Sequence, residues 1–203
     1  MSRIRSRLAR ALPLLAVLPL AASAHVGADG GTAHAHLGFI DGLMHPFTGL
    51  DHLAAMVGVG LWSASAARGG RDALWAPLGF AAMLLAGALA GLAGLRVPAV
   101  EPMIAASLLV IGLLAATRLR LPGPIAAMLV GVFALFHGAA HGIELAGDGN
   151  AAPALAGMVL ATVLLHAAGL GLGWTLRRRG AWLPRAVGAA AALFGATLLA
   201  QLA

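Results

Sequence analysis

Three side chains of the types that bind metal ions lie close together in the middle of the sequence. His137, His141 and Glu144 occur in the segment Phe-His-Gly-Ala-Ala-His-Gly-Ile-Glu that ends at residue 144. At ~100° per residue, an α-helix would place all three within a wedge of about 60°. A single histidine in an apolar helix is more often a packed or hydrogen-bonded residue. Two imidazoles and a carboxylate on one stripe favour a site for a divalent transition metal.

A second cluster precedes it and contains His45, Asp51 and His52. His45 and His52 share a face if the segment is helical, whereas Asp51 projects about 100° away from His52. Two interpretations remain open. Either Pro46 breaks the helix so that His45 swings inward, or Asp51 accepts the N–H of a metal-binding imidazole and fixes its orientation. We prefer the second role for Asp51.

The segments that carry these clusters are too apolar for a soluble domain. Of the 203 residues, 61% are hydrophobic and only 10% are charged. Six apolar stretches have about the 20 residues needed to cross a bilayer, and in lipid such stretches form helices. We predict an all-α integral membrane protein with a six-transmembrane-helix bundle in one domain, 45–203. The stretches are 46–66, 73–95, 99–117, 124–145, 152–176 and 182–202.

The first residues have the pattern of an export signal. An arginine-rich start, a short apolar run and Ala-Ser-Ala at 22–24 predict a signal peptide, 1–24, that is cleaved after Ala24. An uncleaved first membrane anchor is the alternative. Cleavage would leave a periplasmic, histidine-containing leader, 25–44, before the first span.

Arginine positions predict the orientation of the bundle, because arginines near span ends prefer the cytoplasmic side. With six spans and both mature termini in the periplasm, Arg96 alone faces outward. His52 and the group from His137 to Glu144 then lie at matching depth, within about 12 Å of the outer boundary, so the two clusters can meet. The arginines that would face inward are Arg68, Arg71, Arg118, Arg120, Arg177, Arg178, Arg179 and Arg185.

Five further residues are weaker metal-site candidates. His25, His34 and His36 could form a capture arm in the leader, or belong to a merely polar tail. Asp41 could line the entrance or simply lie at the interface. His166, deep in the fifth span, is a candidate exit ligand, although a lone histidine is more often structural.

Several partners are excluded by the pattern. The net charge of +6 is concentrated in the signal segment, without a basic face that carries aromatic residues, so nucleic acid is not expected. No phosphate-binding glycine-rich loop with lysine is present, so ATP is not expected. We expect no prosthetic group and no enzymatic activity, but a secondary transporter in contact with lipid whose substrate is Ni²⁺, Co²⁺ or Zn²⁺. The alternative is a membrane-embedded zinc hydrolase that uses Glu144 or Asp51 for proton transfer.

With both motifs identified, the chain resembles the HupE/UreJ family of nickel and cobalt permeases. The resemblance lies in His-x5-Asp-His at residues 45–52, in Phe-His-Gly-x-Ala-His-Gly-x-Glu at residues 136–144, and in the arrangement of signal peptide and six spans. It implies uptake of nickel, or of cobalt, across a bacterial inner membrane. It also implies a transport site formed by the six motif residues His45, Asp51, His52, His137, His141 and Glu144.

Overall fold

The computed structural model describes residues 38–146 and 151–203, which are helical with no strand in either range. Apolar residues without alternating polarity form long helices, and glycine, proline or charge marks the connections. The seven helices within these ranges are α1 (Phe39–Thr48), α2 (Leu50–Ala66), α3 (Trp75–Leu92), α4 (Val100–Thr117), α5 (Gly123–Leu145), α6 (Ala151–Arg179) and α7 (Trp182–Gln201). A short 3₁₀ turn, Asp72–Leu74, leads into α3.

Five segments of the described chain are long and apolar enough to cross a membrane, and the protein is a multi-pass membrane protein. They are Asp72–Leu92, Val100–Thr117, Gly123–Leu145, Ala151–Arg179 and Trp182–Gln201. Five of the six predicted spans correspond to these segments, and the first, 46–66, is not among them. The predicted signal peptide, 1–24, and His25, His34 and His36 of the predicted leader lie outside the described residues.

The predicted first span, 46–66, is the lower part of a broken helix. Helix begins at Phe39, ahead of the predicted boundary at residue 45, and stops at Thr48. Gly49 is extended, with φ −92° and ψ 115°, and α2 then runs for 17 residues. Pro46 lies inside α1, so the break comes at Gly49 instead of at the proline. Because α1 and α2 both pack against α6, the broken helix follows its long neighbour from end to end.

Three helix pairs make the closest contacts in the bundle: α3 with α5, α4 with α7, and α2 with α6. Each pair meets at glycines, among them Gly87 and Gly138 in the first pair and Gly60 and Gly169 in the last. A Cβ atom at any of these four would overlap the backbone of the partner helix. Small residues at such contacts let membrane helices approach closely. The backbones of α2 and α5, by contrast, do not pack closely against each other.

Arginines gather around the C-terminal end of α2. Arg118 donates a hydrogen bond to the Ser65 carbonyl at 3.0 Å, and Arg177 donates one to the Ala64 carbonyl at 3.0 Å. These guanidinium groups satisfy carbonyls that the end of a helix leaves unpaired, and their charge suits the negative end of the helix dipole. A cavity of about 250 Å³ opens beside them, with Arg68, Asp72 and Arg120 among its lining residues. The histidine clusters lie at the opposite end of α2.

Candidate metal-binding site

The break between α1 and α2 forms one wall of a cavity. The hydroxyl of Thr48 donates to the His45 carbonyl at 2.7 Å, and the Leu53 N–H donates to the Gly49 carbonyl at 2.9 Å. These bonds satisfy backbone groups that the break would otherwise leave open. Non-helical backbone at membrane depth is tolerated where it lines a cavity or is buried in protein. The break thus turns His45, on α1, toward the histidines of α5.

Four histidine rings from α1, α2 and α5 form one continuous cluster. The ring centroids of His45 and His141 are 4.7 Å apart, and those of His141 and His52 are also 4.7 Å apart. The ring of His52 lies 5.0 Å from that of His137. His137 and His141 are buried, whereas the side chain of His45 is 40% exposed. The cluster therefore leads from an open rim into the bundle.

Glu144 joins this cluster at its open end. Its Oε2 lies 3.4 Å from Nδ1 of His141 and 3.8 Å from Nε2 of His45. One potential ligand atom from each of these three residues lies within 4.8 Å of the other two. A carboxylate and two imidazoles this close can bind one divalent ion after small side-chain movements. His141 and Glu144 lie close together because they share one face of α5, and the third residue, His45, comes from the broken helix.

Asp51 contacts His52 directly. Its Oδ1 accepts the backbone N–H of His52 at 2.9 Å and lies 3.0 Å from Nδ1 of the same imidazole. This is the hydrogen bond that the preferred interpretation of Asp51 requires. It holds the proton of His52 on Nδ1 and leaves Nε2 with its lone pair available for a metal ion.

Ser107 of α4 orients His137 in a similar way. The hydroxyl of Ser107 donates to the Ile104 carbonyl at 2.6 Å, so its oxygen accepts from Nε2 of His137 at 3.0 Å. That places the proton of His137 on Nε2 and the lone pair on Nδ1. Sequence reasoning missed Ser107. The signal available was a hydroxyl group in an otherwise apolar helix, which is weak by itself.

Three imidazole nitrogens of the cluster have no hydrogen-bond partner among the described residues. They are Nε2 of His52, Nδ1 of His137 and Nε2 of His141, and all three are buried. Buried polar atoms are normally paired, so unpaired ones need an explanation. Neutral nitrogens with free lone pairs are the form in which histidine binds metal ions.

The cavity at the rim has a volume of about 310 Å³ and contains acidic groups from three helices. Asp51 and Glu144 line it, and Glu101 from the start of α4 adds a third carboxylate. Sequence reasoning did not place Glu101 here, because it lies outside both motifs and only the packing of α4 brings it to the cavity. Three carboxylates around one opening attract cations.

Comparison with known proteins assigns the family. The family model described as "HupE / UreJ protein" matches residues 13–198. The chain is also 44% identical over 199 residues to "Protein HupE" from Rhizobium leguminosarum bv. viciae, a match that covers 96% of this chain and 97% of the relative. The chain belongs to the HupE/UreJ family. Both histidine motifs fall within the matched residues of this family, and no solved structure matches the chain.

The remaining predicted residues of the HupE/UreJ chain do not line the rim cavity or lie outside the described residues. Asp41 is exposed and accepts the N–H of Gly38 at 3.0 Å, so it caps the start of α1. His166 is buried on α6 and does not line the rim cavity. The positions of His25, His34 and His36 fall among the residues that the structure does not describe.

Proposed function

We propose that this protein is a permease that imports a divalent transition-metal ion, nickel first and cobalt second, through the site between α1, α2 and α5. The observation that carries the proposal is the convergence of four imidazoles and two carboxylates from separate helices. Three of those imidazoles keep buried lone pairs with no partner in the described chain. Ionisable and polar groups are costly in membrane helices, so a cluster of them indicates an ion pathway.

The ligand types support a transition metal as the substrate. Imidazole suits nickel, cobalt and zinc, whereas calcium and magnesium prefer sites built from oxygen alone. Intrinsic affinity does not choose among the three transition metals. The choice of nickel, and then cobalt, rests on the likeness of the two motifs to those of nickel and cobalt permeases.

The exposed fractions of the cluster side chains decrease from the rim inward, which supports movement of the ion in that direction. Glu144 and His45 are 53% and 40% exposed at the rim, whereas the His52 side chain is 12% exposed and His137 is fully buried. An ion would first exchange water for the rim ligands and then for the deeper imidazoles. We place the rim on the periplasmic side of the bacterial inner membrane and the arginine end of α2 on the cytoplasmic side, as the arginine rule requires.

The membrane potential supplies a driving force without ATP. An inside-negative potential acts on a divalent cation with roughly 4–5 kcal/mol per 100 mV, twice the value for one elementary charge. No observation favours the alternative of a zinc hydrolase, and the HupE/UreJ match gives it no support.

Uptake by cells tests the proposed function. Bacteria without other nickel importers are given this chain, and accumulation of radioactive nickel is measured with unlabelled cobalt or zinc as competitor. We expect saturable accumulation that cobalt reduces more strongly than zinc. Cells that accumulate no more metal than cells with an empty vector would contradict the proposal. Competition by zinc alone would overturn the choice of metal and leave the transport function in place.

A further inference from the structure

A fourth unpartnered imidazole lies below the cluster. His166 of α6 is 3% exposed, and its Nε2 has no hydrogen-bond partner in the described part of the chain. Burial of a polar atom without a partner costs free energy, so a residue with a purely structural role would be expected to pair it. His166 does not line the rim cavity, and the proposed function above makes no use of it.

One phenyl ring lies between His166 and the cluster. Phe80 of α3 is fully buried, and its ring centroid lies 5.7 Å from that of His137 and 5.1 Å from that of His166. His137 in turn contacts His52. The polar path from the rim is therefore continuous down to His137, is interrupted by Phe80, and resumes at His166.

The two sides of this interruption belong to different helix pairs. Phe80 and His137 lie on the pair α3–α5, whereas His52 and His166 lie on the pair α2–α6. Each pair is joined by glycine contacts, whereas the backbones of α2 and α5 do not pack closely and the histidine rings of these two helices contact each other. A shift of one pair against the other would move Phe80 relative to His166 without separating either pair. Transporters commonly alternate access by such rigid-body movements.

His166 also lies at a level between the two cavities. Its carbonyl occupies the space that a Cβ atom at Gly60 would need. Gly60 follows His52 by two helical turns, about 12 Å along α2. The cavity at the arginine end of α2 begins at Trp62 and Ser63, just beyond the level of Gly60. This cavity thus lies farther toward the arginine end of α2 than His166 does.

We propose that His166 is a second, deeper metal-binding position and that Phe80 is the gate between it and the upper cluster. The proposal rests on the proposed function, since it concerns the same ion. When the pair α3–α5 shifts, Phe80 moves aside, and the ion exchanges Nδ1 of His137 for Nε2 of His166. The exchange replaces one neutral nitrogen lone pair by another and involves no change of oxidation state.

Replacement of His166 provides the first test. We compare the full chain in liposomes with His166→Asn, and with Thr162→Val as the control. Thr162 lies one turn away on α6 and is fully buried. Within the described residues, its hydroxyl donates one hydrogen bond, to the Met158 carbonyl of the same helix. We expect His166→Asn to keep the nickel affinity of the upper site within about twofold while its maximal uptake rate falls about tenfold or more. Thr162→Val keeps both. Wild-type uptake by His166→Asn would overturn the second position.

A cysteine at the same position gives a direct signature of binding. The chain contains no cysteine, so in His166→Cys any thiolate bound to Co²⁺ must come from residue 166. A coordinating thiol loses its proton, and the bond produces a sulfur-to-cobalt absorption band in the near ultraviolet. We expect this band in His166→Cys, stronger when Phe80→Leu is added, and no band in Thr162→Cys. A folded His166→Cys protein without the band, with and without Phe80→Leu, would contradict the proposal.

The outcomes separate this inference from the proposed function. If the wild-type chain takes up no metal, the permease function fails. If it does, and His141→Asn abolishes binding while His166→Asn changes nothing, only the second position fails. If the His166 variants do not fold, Phe80→Leu decides, because a smaller gate should speed the efflux of nickel from loaded liposomes. An unchanged efflux rate would then refute the gate.

Discussion

The two ends of α2 are surrounded by side chains of opposite chemistry. Around the break lie imidazoles and the carboxylates of Asp51, Glu101 and Glu144, with an open cavity. Around the C-terminal end, Arg118 and Arg177 bind backbone carbonyls. The first end has imidazole lone pairs that lack a partner, whereas at the second end both guanidinium groups donate to backbone carbonyls, and the unpartnered atoms there are Nε of Arg118 and the hydroxyl oxygen of Ser65. The difference indicates that the first end is built for a cation and the second for stability and orientation.

The largest effect is expected from removal of a central ligand at the histidine end. In His141→Asn, the group formed with His45 and Glu144 at the rim loses one metal ligand. The ring contact between His141 and His52 is lost as well. We expect nickel uptake by cells to fall to background and nickel binding by the purified protein to become undetectable by calorimetry.

Arg177→Gln is the matched change at the other end of α2. It removes a charge-assisted bond to the Ala64 carbonyl but no metal ligand. Uptake should remain within about twofold of wild type, because the site keeps all its ligands. Loss of uptake in Arg177→Gln equal to that in His141→Asn would abolish the distinction between the two ends.

The second prediction concerns the carboxylate that orients His52. Asp51→Asn keeps the size of the side chain but loses the charge-assisted acceptor for the imidazole N–H. Loss of such a supporting group typically lowers metal affinity about 10–100-fold, and we expect a reduction in that range by titration with nickel. Asp41→Asn, at the exposed start of α1, is the control and should keep the wild-type affinity. Equal losses in both variants would show that Asp51 acts only through its general negative charge.

The third prediction tests the rigidity of the pair that carries His137 and His141. In Gly138→Ala, the added methyl group would overlap the Leu84 carbonyl of α3. Forcing atoms into a packed contact costs about 1–3 kcal/mol, so thermal unfolding in detergent should occur at a lower temperature. Gly171→Ala on α6 meets open space and is the control. It should leave stability unchanged or raise it by up to about 1 kcal/mol. A Gly138→Ala protein as stable as the wild type would show that the helices can separate without cost.

The smallest effect is expected at the arginine end. Arg118→Gln removes the bond to the Ser65 carbonyl, and a hydrogen bond to a charged group contributes roughly 1.5–3 kcal/mol when buried and less when partly exposed, as here. We expect a reduction in stability of about 1 kcal/mol and no change in nickel affinity. Arg179→Gln, at the exposed end of α6, should change neither. A weaker nickel affinity in Arg118→Gln would mean that the two ends are coupled.

The metal-ligand types and the face of α5 could be predicted because they depend on local geometry. The spacing of His137, His141 and Glu144 places them on one stripe of any regular helix. The proximity of the two motif clusters followed from their similar predicted depth. The break at Gly49 could not be predicted, since Pro46 is the stronger local signal. In the structure, the helices on the two sides of the break, α1 and α2, both pack against α6.

Long-range packing also supplied the residues that sequence reasoning missed. Ser107 and Glu101 come from α4 and Phe80 comes from α3, and none of the three belongs to a motif. Ser107 and Phe80 contact histidines, and Glu101 lines the rim cavity, only because helices distant in the chain meet at the site. A hydroxyl, a carboxylate and a phenyl ring have no spacing of their own that would reveal such a contact.

The amino-acid sequence by itself determined a multi-pass helical membrane protein of the HupE/UreJ family and the histidine, aspartate and glutamate residues available for a metal ion. Hydrophobic length and helical periodicity are properties of short segments, so they can be read without a fold. Only the tertiary structure decided that His45 enters through a broken helix, that Asp51 and Ser107 orient two imidazoles, and that Phe80 separates His137 from His166. Those contacts depend on how glycine-joined helix pairs stack, and no single segment contains that information.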